Sequence, residues 1–439
     1  MSTSDPIPAP AHTTARIGRR ALLGWSGAAG VAGLAAGGAA GTLTHRDGAT
    51  TAPTTDRLTT DRLAPAGGVV ADRSLPMGLG ARIPAFGHLV AFSLHGHASG
   101  REARETAVAF LRFLARLADQ AAAPASYPRV FDAIDPQATG SAGLDLRPAS
   151  LQVTPGIGAS LLTACDLGDQ RPAELIDLPA FATDRLDPAR CGGDLMVQIG
   201  AEDPLKLAGA VQAVVSYARS RLADRLRLRW SRSGFRGTAV AADNPATTGR
   251  NLMGHRDGTD NPTLGSPLWR TAVQSRQQGW MEGGSYLVAR QILIDLDTWF
   301  GHDEAARDRV IGRRTADGAA LGDHTESQLV DLGARDAAGA LKIPAHAHIR
   351  LASPQNTLGA RIYRRSWNFD DGYVDGQRHA GLLFLAWQAD IRRGFLPIQR
   401  ALTQHHDALN AFTTHVGSAV FAVPARRDDE YVGQRLLEA

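Results

Sequence analysis

The same order of segments runs through residues 81–250 and again through 251–439, and few architectures accept it. In the first half, His88 to Leu94 is a β-leaning apolar run and AVAFLRFLARLADQ, within Arg101 to Gln120, has helical spacing. Strands follow near Ala149 to Val153 and Asp194 to Ile199, then a helix from Pro204 to about Ala223 and a closing strand from Arg225 to Trp230. Strand, helix, strand, strand, helix, strand is the ferredoxin-like split βαβ order. The second half offers a strand from Ser285 to Ile294, helices after Asp297 and around Asp303 to Ile311, and a long loop from Gly312 to Pro344. A strand through the histidines of AHAHIRL comes next, then a buried strand Leu382 to Trp387. Helices near Leu396 to Leu402 and His406 to Phe412 lead to a last strand, Ser418 to Val423. The expected fold is therefore α+β: two ferredoxin-like domains, antiparallel sheets with peripheral helices, packed sheet to sheet. The duplication lies in element order alone, with no residue-level repeat.

A chain of 439 residues has room for two such units behind a leader. Gly18-Arg19-Arg20-Ala21-Leu22-Leu23 opens an uncharged stretch of 21 residues ending at Gly41, in which seven glycines keep the apolarity mild. Paired arginines before a weakly apolar segment fit a twin-arginine export signal over residues 1–44, cut near Ala39 to Thr44; an uncleaved anchor would carry more Leu, Ile, Val and Phe. Residues 45–80, rich in Thr, Ala, Asp and Pro, read as a linker. The formal charge is only +3, and arginines are interspersed with acids, as in DRLDPAR, without stacking aromatics; this argues for solvated helix faces and against a nucleic-acid partner. Two cysteines, Cys165 and Cys191, allow one bridge after export but no framework, and no Cys/His spacing suits structural zinc.

Chemistry concentrates in two places. NLMGHRDGTDNP, Asn251 to Pro262, sets Asp257 in a glycine-bounded loop, and AHAHIRLASPQNTLGARIYRR, Ala345 to Arg365, carries two histidines and an arginine pair. Taken alone, Asp-Gly is turn chemistry and a histidine is more often a satisfied core residue than a ligand. His346 and His348, two apart on an extended run, share a face, so spacing does not choose between them. Arg364 and Arg365 point to opposite sides of an extended segment, so only one of them reaches a given pocket.

These residues resemble the dye-decolourising peroxidases. Gly254-x-x-Asp257-Gly258 followed by Asn261-Pro262 is similar to that family's distal signature, and His348-Ile349-Arg350-Leu351 to its proximal segment. Cys191-Gly-Gly-Asp-Leu, Trp230-Ser-Arg-Ser-Gly-Phe235, Gly283-Gly-Ser-Tyr-Leu-Val288, Arg313, and Gly381-Leu-Leu-Phe384 leading to Phe395 extend the likeness over about residues 80 to 435. The resemblance implies haem b, bound mainly by the C-terminal domain, with His348 as the axial ligand of the iron and Asp407 as the acid behind it. It implies Asp257 as the proton carrier for hydrogen peroxide, Arg364 as the fixed cation beside it, and the core strand of Leu383 and Phe384 as a border of the cofactor's distal pocket; Arg256 reads either as a contact to a haem propionate or as a solvated loop arginine. Ser366-Trp367 departs from the Gly-Tyr expected there. Tyr363 and Trp367 read either as an electron route to the surface or as packing. Small aromatic reductants, phenolic or dye-like, are the implied second substrates. The subgroup it is nearest includes exported proteins of bacterial iron uptake, so a haem-handling, deferrochelatase role with weak peroxidase turnover is the alternative, with iron-uptake components as partners. A homo-oligomer is compatible with the family. A haemless ferredoxin-like binding domain is the third reading.

Overall fold

The computed structural model describes residues 75–96, 100–122, 151–237, 249–427 and 430–439; the leader and linker expected before residue 75 lie outside them. Strands β1 (Phe86–Leu94), β2 (Gln152–Ile157), β3 (Leu195–Ala201) and β4 (Leu226–Phe235) form an antiparallel sheet in the order β2-β3-β1-β4. The C-terminal strands β5 (Ser285–Ile294), β7 (Trp367–Val374), β8 (Gln377–Gln388) and β9 (Thr413–Val423) take the equivalent order β9-β5-β8-β7, and the short β6 (Tyr363–Arg364) extends β8 beside β7. Each half is thus the expected ferredoxin-like sheet. The sheets also meet at their edges, which segment order could not indicate. Ile157 bridges to Ala422 and Phe235 to Asn368, so the two sheets close into one ring.

Strand alternation divides the core in two. On β1, Leu89 and Ala91 face into the ring with Met196, Leu287, Leu385, Phe421 and the indoles of Trp230, Trp367 and Trp387. Val90 and Phe92 face outward, under the helices α1 (Gly100–Ala122) and α2 (Pro204–Arg221), against Phe110, Leu114 and Val214. The ring interior holds large side chains because glycines leave room for them. A Cβ on Gly87 would lie 2.2 Å from Trp367 Cε2, and one on Gly234 2.6 Å from Trp367 Cβ.

Two local expectations change. The strand expected at Ala149 to Val153 runs instead over Gln152–Ile157 and carries Pro155 and Gly156 within it. The histidine segment is not a strand. After the helix α3 (Glu304–Ile311), His348–Leu351 forms a single helical turn, α4, because Arg350 folds back to donate to the carbonyls of Ile343 (2.7 Å) and Leu332 (2.7 Å). The helix α5 (Phe395–Gln404) then packs on the outer face of the C-terminal sheet, where the cavity lies.

Candidate active site

A cavity of about 470 Å³ opens on that outer face, within the size range of cofactor pockets. Outward-facing residues of β5 (Ile292, Ile294) and β8 (Leu382, Phe384) make one apolar wall, and Phe395, Ile398 and Leu402 of α5 another. The same alternation corrects one expectation: Leu383 points into the ring interior, fully buried beside Leu385, while its neighbours Leu382 and Phe384 face the cavity. Periodicity on a strand buried on both faces does not say which set looks outward.

His348, the first residue of α4, lines this cavity, and its Nδ1 lies 2.7 Å from Asp407 Oδ2. Asp407 is buried, and its other oxygen accepts from Leu409 N at 3.0 Å, capping the turn Ala408–Ala411. The carboxylate is thereby fixed, the imidazole is oriented, and Nε2 is the nitrogen available to a metal. His346 is turned away, with Nδ1 2.9 Å from His405 O, so the turn separates the two histidines that spacing left equal.

Asp257 and Arg364 line the cavity from other segments, with Oδ1 and Nη1 3.6 Å apart. The loop carrying Asp257 is held from several sides. Asn251 Oδ1 accepts from Met253 N (3.1 Å) and His255 N (3.2 Å), and Gly254 and Gly258 adopt φ of 87° and 108°. Buried His255 anchors the loop to Asp308 on α3 (Nε2 to Oδ1, 3.1 Å), and burial holds its pKa below the ordinary histidine value. Asn261 clamps β6 at Arg364, donating to its carbonyl (2.8 Å) and accepting from its N–H (3.0 Å). That explains why an asparagine three residues after the Asp-Gly turn matters; spacing alone gave no sign of the partner. Arg365 points the opposite way and is fully buried, donating to Gly78 O (3.0 Å), Ala81 O (2.6 Å) and Gln152 Oε1 (3.2 Å).

Arg256 reaches the cavity wall with its guanidinium ion-paired to Glu326, which also accepts from Thr259 Oγ1 at 2.8 Å. Arg313 and Arg361 line the cavity too. Burial lowers the Arg313 pKa, opposed by the charges of Asp260 and Glu326. Tyr363 and Trp367 lie in the ring core, Tyr363 edge-on to Trp269 at 5.9 Å. Both described cysteines are free thiols, so Cys165 and Cys191 do not bridge.

An apolar slot with an oriented imidazole on one of its segments and arginines on its walls suits an iron porphyrin, whose ring is apolar and whose acid side chains need cations. Residues 82–236 match the family model described as Dyp-type peroxidase, N-terminal, and residues 248–428 the one described as Dyp-type peroxidase, C-terminal. The chain belongs to the Dyp-type peroxidase family. A dye-decolorizing peroxidase of Thermobifida fusca (strain YX) is 45% identical over 429 residues, 96% of this chain and 97% of that protein. A deferrochelatase of Escherichia coli (strain K12) is 31% identical over 316 residues, 69% of this chain and 73% of that one. Among solved structures, a DyP-type peroxidase of Streptomyces coelicolor is 40% identical with a TM-score of 0.73, covering 82% of this chain and 95% of that one. Ferric DtpA of Streptomyces lividans matches with the same figures. As a member of the Dyp-type peroxidases, the protein is a haem peroxidase.

Proposed function

We infer that this peroxidase reduces hydrogen peroxide and oxidises phenolic or dye-like molecules by single-electron steps, with haem b in the cavity on the C-terminal sheet. The observation that carries the assignment of roles is one cavity lined both by His348, with Asp407 behind it, and by the Asp257–Arg364 pair.

His348 Nε2 would hold the iron, with Arg256, Arg313 and Arg361 available to the acid side chains of the porphyrin. When bound, the haem supplies the two-electron chemistry that splits the peroxide bond and the one-electron steps that follow. Asp257 takes a proton from one peroxide oxygen and returns it to the other, which leaves as water. The Arg364 guanidinium stabilises negative charge on that departing oxygen. Asn261 keeps Arg364 at the depth where it can do so.

Purified protein should show a Soret band that shifts on one equivalent of peroxide. Asp257→Asn and Arg364→Leu should keep the band and slow the shift about a hundredfold or more, whereas His348→Ala should lose or weaken haem binding. Unchanged rates in both distal variants would remove these roles. The deferrochelatase relatives support a second reading, haem handling, in which supplied haem yields free iron and intact porphyrin; identity and coverage favour turnover of peroxide. We also assign residues 1–44 to twin-arginine export, on the strength of Arg19-Arg20 and the mild apolar run behind them. No helix among the described residues is long and apolar enough to cross a membrane.

A further inference from the structure

Arg364 Nη1 stands 3.6 Å from Asp257 Oδ1, beyond hydrogen-bond reach, so this contact does not fix the carboxylate and its aim depends on the backbone to either side. On the N-terminal side the hold is His255, bonded to Asp308 of α3. On the C-terminal side it is Glu326, 70 positions after Arg256 in the chain. The two oxygens of Glu326 take different partners: Oε2 pairs with the Arg256 guanidinium, and Oε1 accepts from Thr259 Oγ1 at 2.8 Å. Arg256 and Thr259 flank Asp257-Gly258, so one carboxylate spans the turn that carries the proton-moving group. Glu326 is itself held. Arg313, just past the end of α3, donates to its carbonyl (3.1 Å) and to Gly318 O (2.9 Å), and Arg314 donates to Asp323 O (2.9 Å). The stem of Arg256 rests on the same turn, where Gly318 has a φ of 79° and a Cβ would lie 2.6 Å from Arg256 Cδ. Both sides of the Asp257 loop are therefore tied to one helix and the turn that follows it.

We propose that Glu326 is a positioning residue for the peroxide reaction: its carboxylate, bracketing Asp257 through Arg256 and Thr259, aims the Asp257 carboxylate into the cavity. The proposal rests on the peroxidase reading above, in which Asp257 moves the proton, and adds a residue to it. Chemistry supports it first. The Glu326–Arg256 pair is largely buried, where a charge-assisted hydrogen bond holds its geometry better than an exposed pair does. Occupancy supports it next: both oxygens of Glu326 are engaged by the loop, which suits a fixed brace and not a second proton carrier. Scale is the third support, since a shift of about an ångström in a proton-transferring group costs on the order of a hundredfold in rate. Ser327 to Val330 continue from Glu326 as cavity wall, so the same carboxylate ties that wall to the proton carrier.

The test separates proton transfer from access to the cavity. Hydrogen cyanide binds ferric haem as the anion once a base, here Asp257, has taken its proton, whereas carbon monoxide binds the ferrous form with no proton to give. Stopped-flow mixing of the haem-loaded protein with each, and with peroxide, reads the two. Glu326→Gln should slow cyanide and peroxide about tenfold or more and leave carbon monoxide unchanged. Thr259→Val removes only the hydroxyl and should slow cyanide and peroxide about three- to tenfold, the scale of one hydrogen bond to a charged group. Thr259→Ser, which keeps the hydroxyl, should recover most of that loss. Equal slowing of carbon monoxide, the mark of a deformed cavity, or no slowing of cyanide in Glu326→Gln, would overturn the proposal. So would slowing by Glu326→Gln that Thr259→Val does not share, because the carboxylate would then act by its charge alone. Wild-type cyanide binding in Asp257→Asn would instead remove Asp257 as the proton carrier and with it the mechanism read above, so the two failures are distinct.

Discussion

An imidazole donates more electron density to iron when its second nitrogen gives its proton to a fixed carboxylate, and Asp407 is fixed twice over, by His348 and by the Leu409 amide. Replacing it by asparagine keeps an acceptor and a good helix cap while removing the charge, so the electrostatic part can be read separately. Asp407→Asn should raise the ferric/ferrous midpoint potential and weaken haem retention by about 10–100-fold. Spectroelectrochemistry checks this, and an unmoved potential would reduce Asp407 to a cap. Asp407→Ala loses the cap as well and should cost about 1 kcal/mol more in stability. At this scale, the sequence carried the side-chain types but not their meetings. Asp407 lies 59 positions from His348, and the family resemblance, not local pattern, paired them. Leu383 was misplaced by one residue on a strand whose two faces are equally apolar.

Short elements, rather than the long strands, deliver the reactive groups. His348 sits on a single turn that propensity does not foresee: the turn is closed by Arg350 reaching carbonyls up to 18 positions back, a contact invisible to local spacing. β6 is only two residues long, and Asn261 takes the place of a neighbouring strand by pairing both its amide ends with the Arg364 backbone. Asn261→Ala should therefore remove two hydrogen bonds, costing about 1–3 kcal/mol in all. It should also slow the peroxide reaction nearly as much as losing Arg364, because a guanidinium displaced by an ångström no longer meets the leaving oxygen. Urea unfolding and stopped-flow mixing read the two effects. A stability loss with an unchanged rate would show that Arg364 holds its position without the clamp. The long strands β5 and β8 and the helix α1 were legible because apolar runs and helical spacing survive any tertiary context.

For the molecule as a whole, folding buries histidines to which no step of the reaction is assigned, and they contribute to its acid tolerance. Ring closure itself was not legible, since single bridges such as Ile157 to Ala422 join edges far apart in the chain. His415 on β9 is buried with Nδ1 2.9 Å from Arg290 Nη2, and burial, with the Arg290 charge second, pushes its pKa down to about 3. His88 on β1 falls to about 4 by burial, with the Arg232 charge second. Both folded values lie below the ordinary histidine value of 6.5, so the unfolded chain binds more protons between pH 6.5 and those values. The stability these two neutral rings contribute is complete above pH 6.5 and is lost as pH falls toward 4 and then 3. Each adds a slope on the order of 1 kcal/mol per pH unit in that window. His88 lies on the N-terminal sheet and does not line the haem cavity, so a variant there reports folding without disturbing cofactor ligation. His88→Gln should flatten the decline in urea midpoint between pH 6.5 and about 4 by roughly half while leaving the Soret band unchanged. A decline as steep as that of the wild type would assign the acid sensitivity to other groups, His415 and the carboxylates of the buried ion pairs first among them.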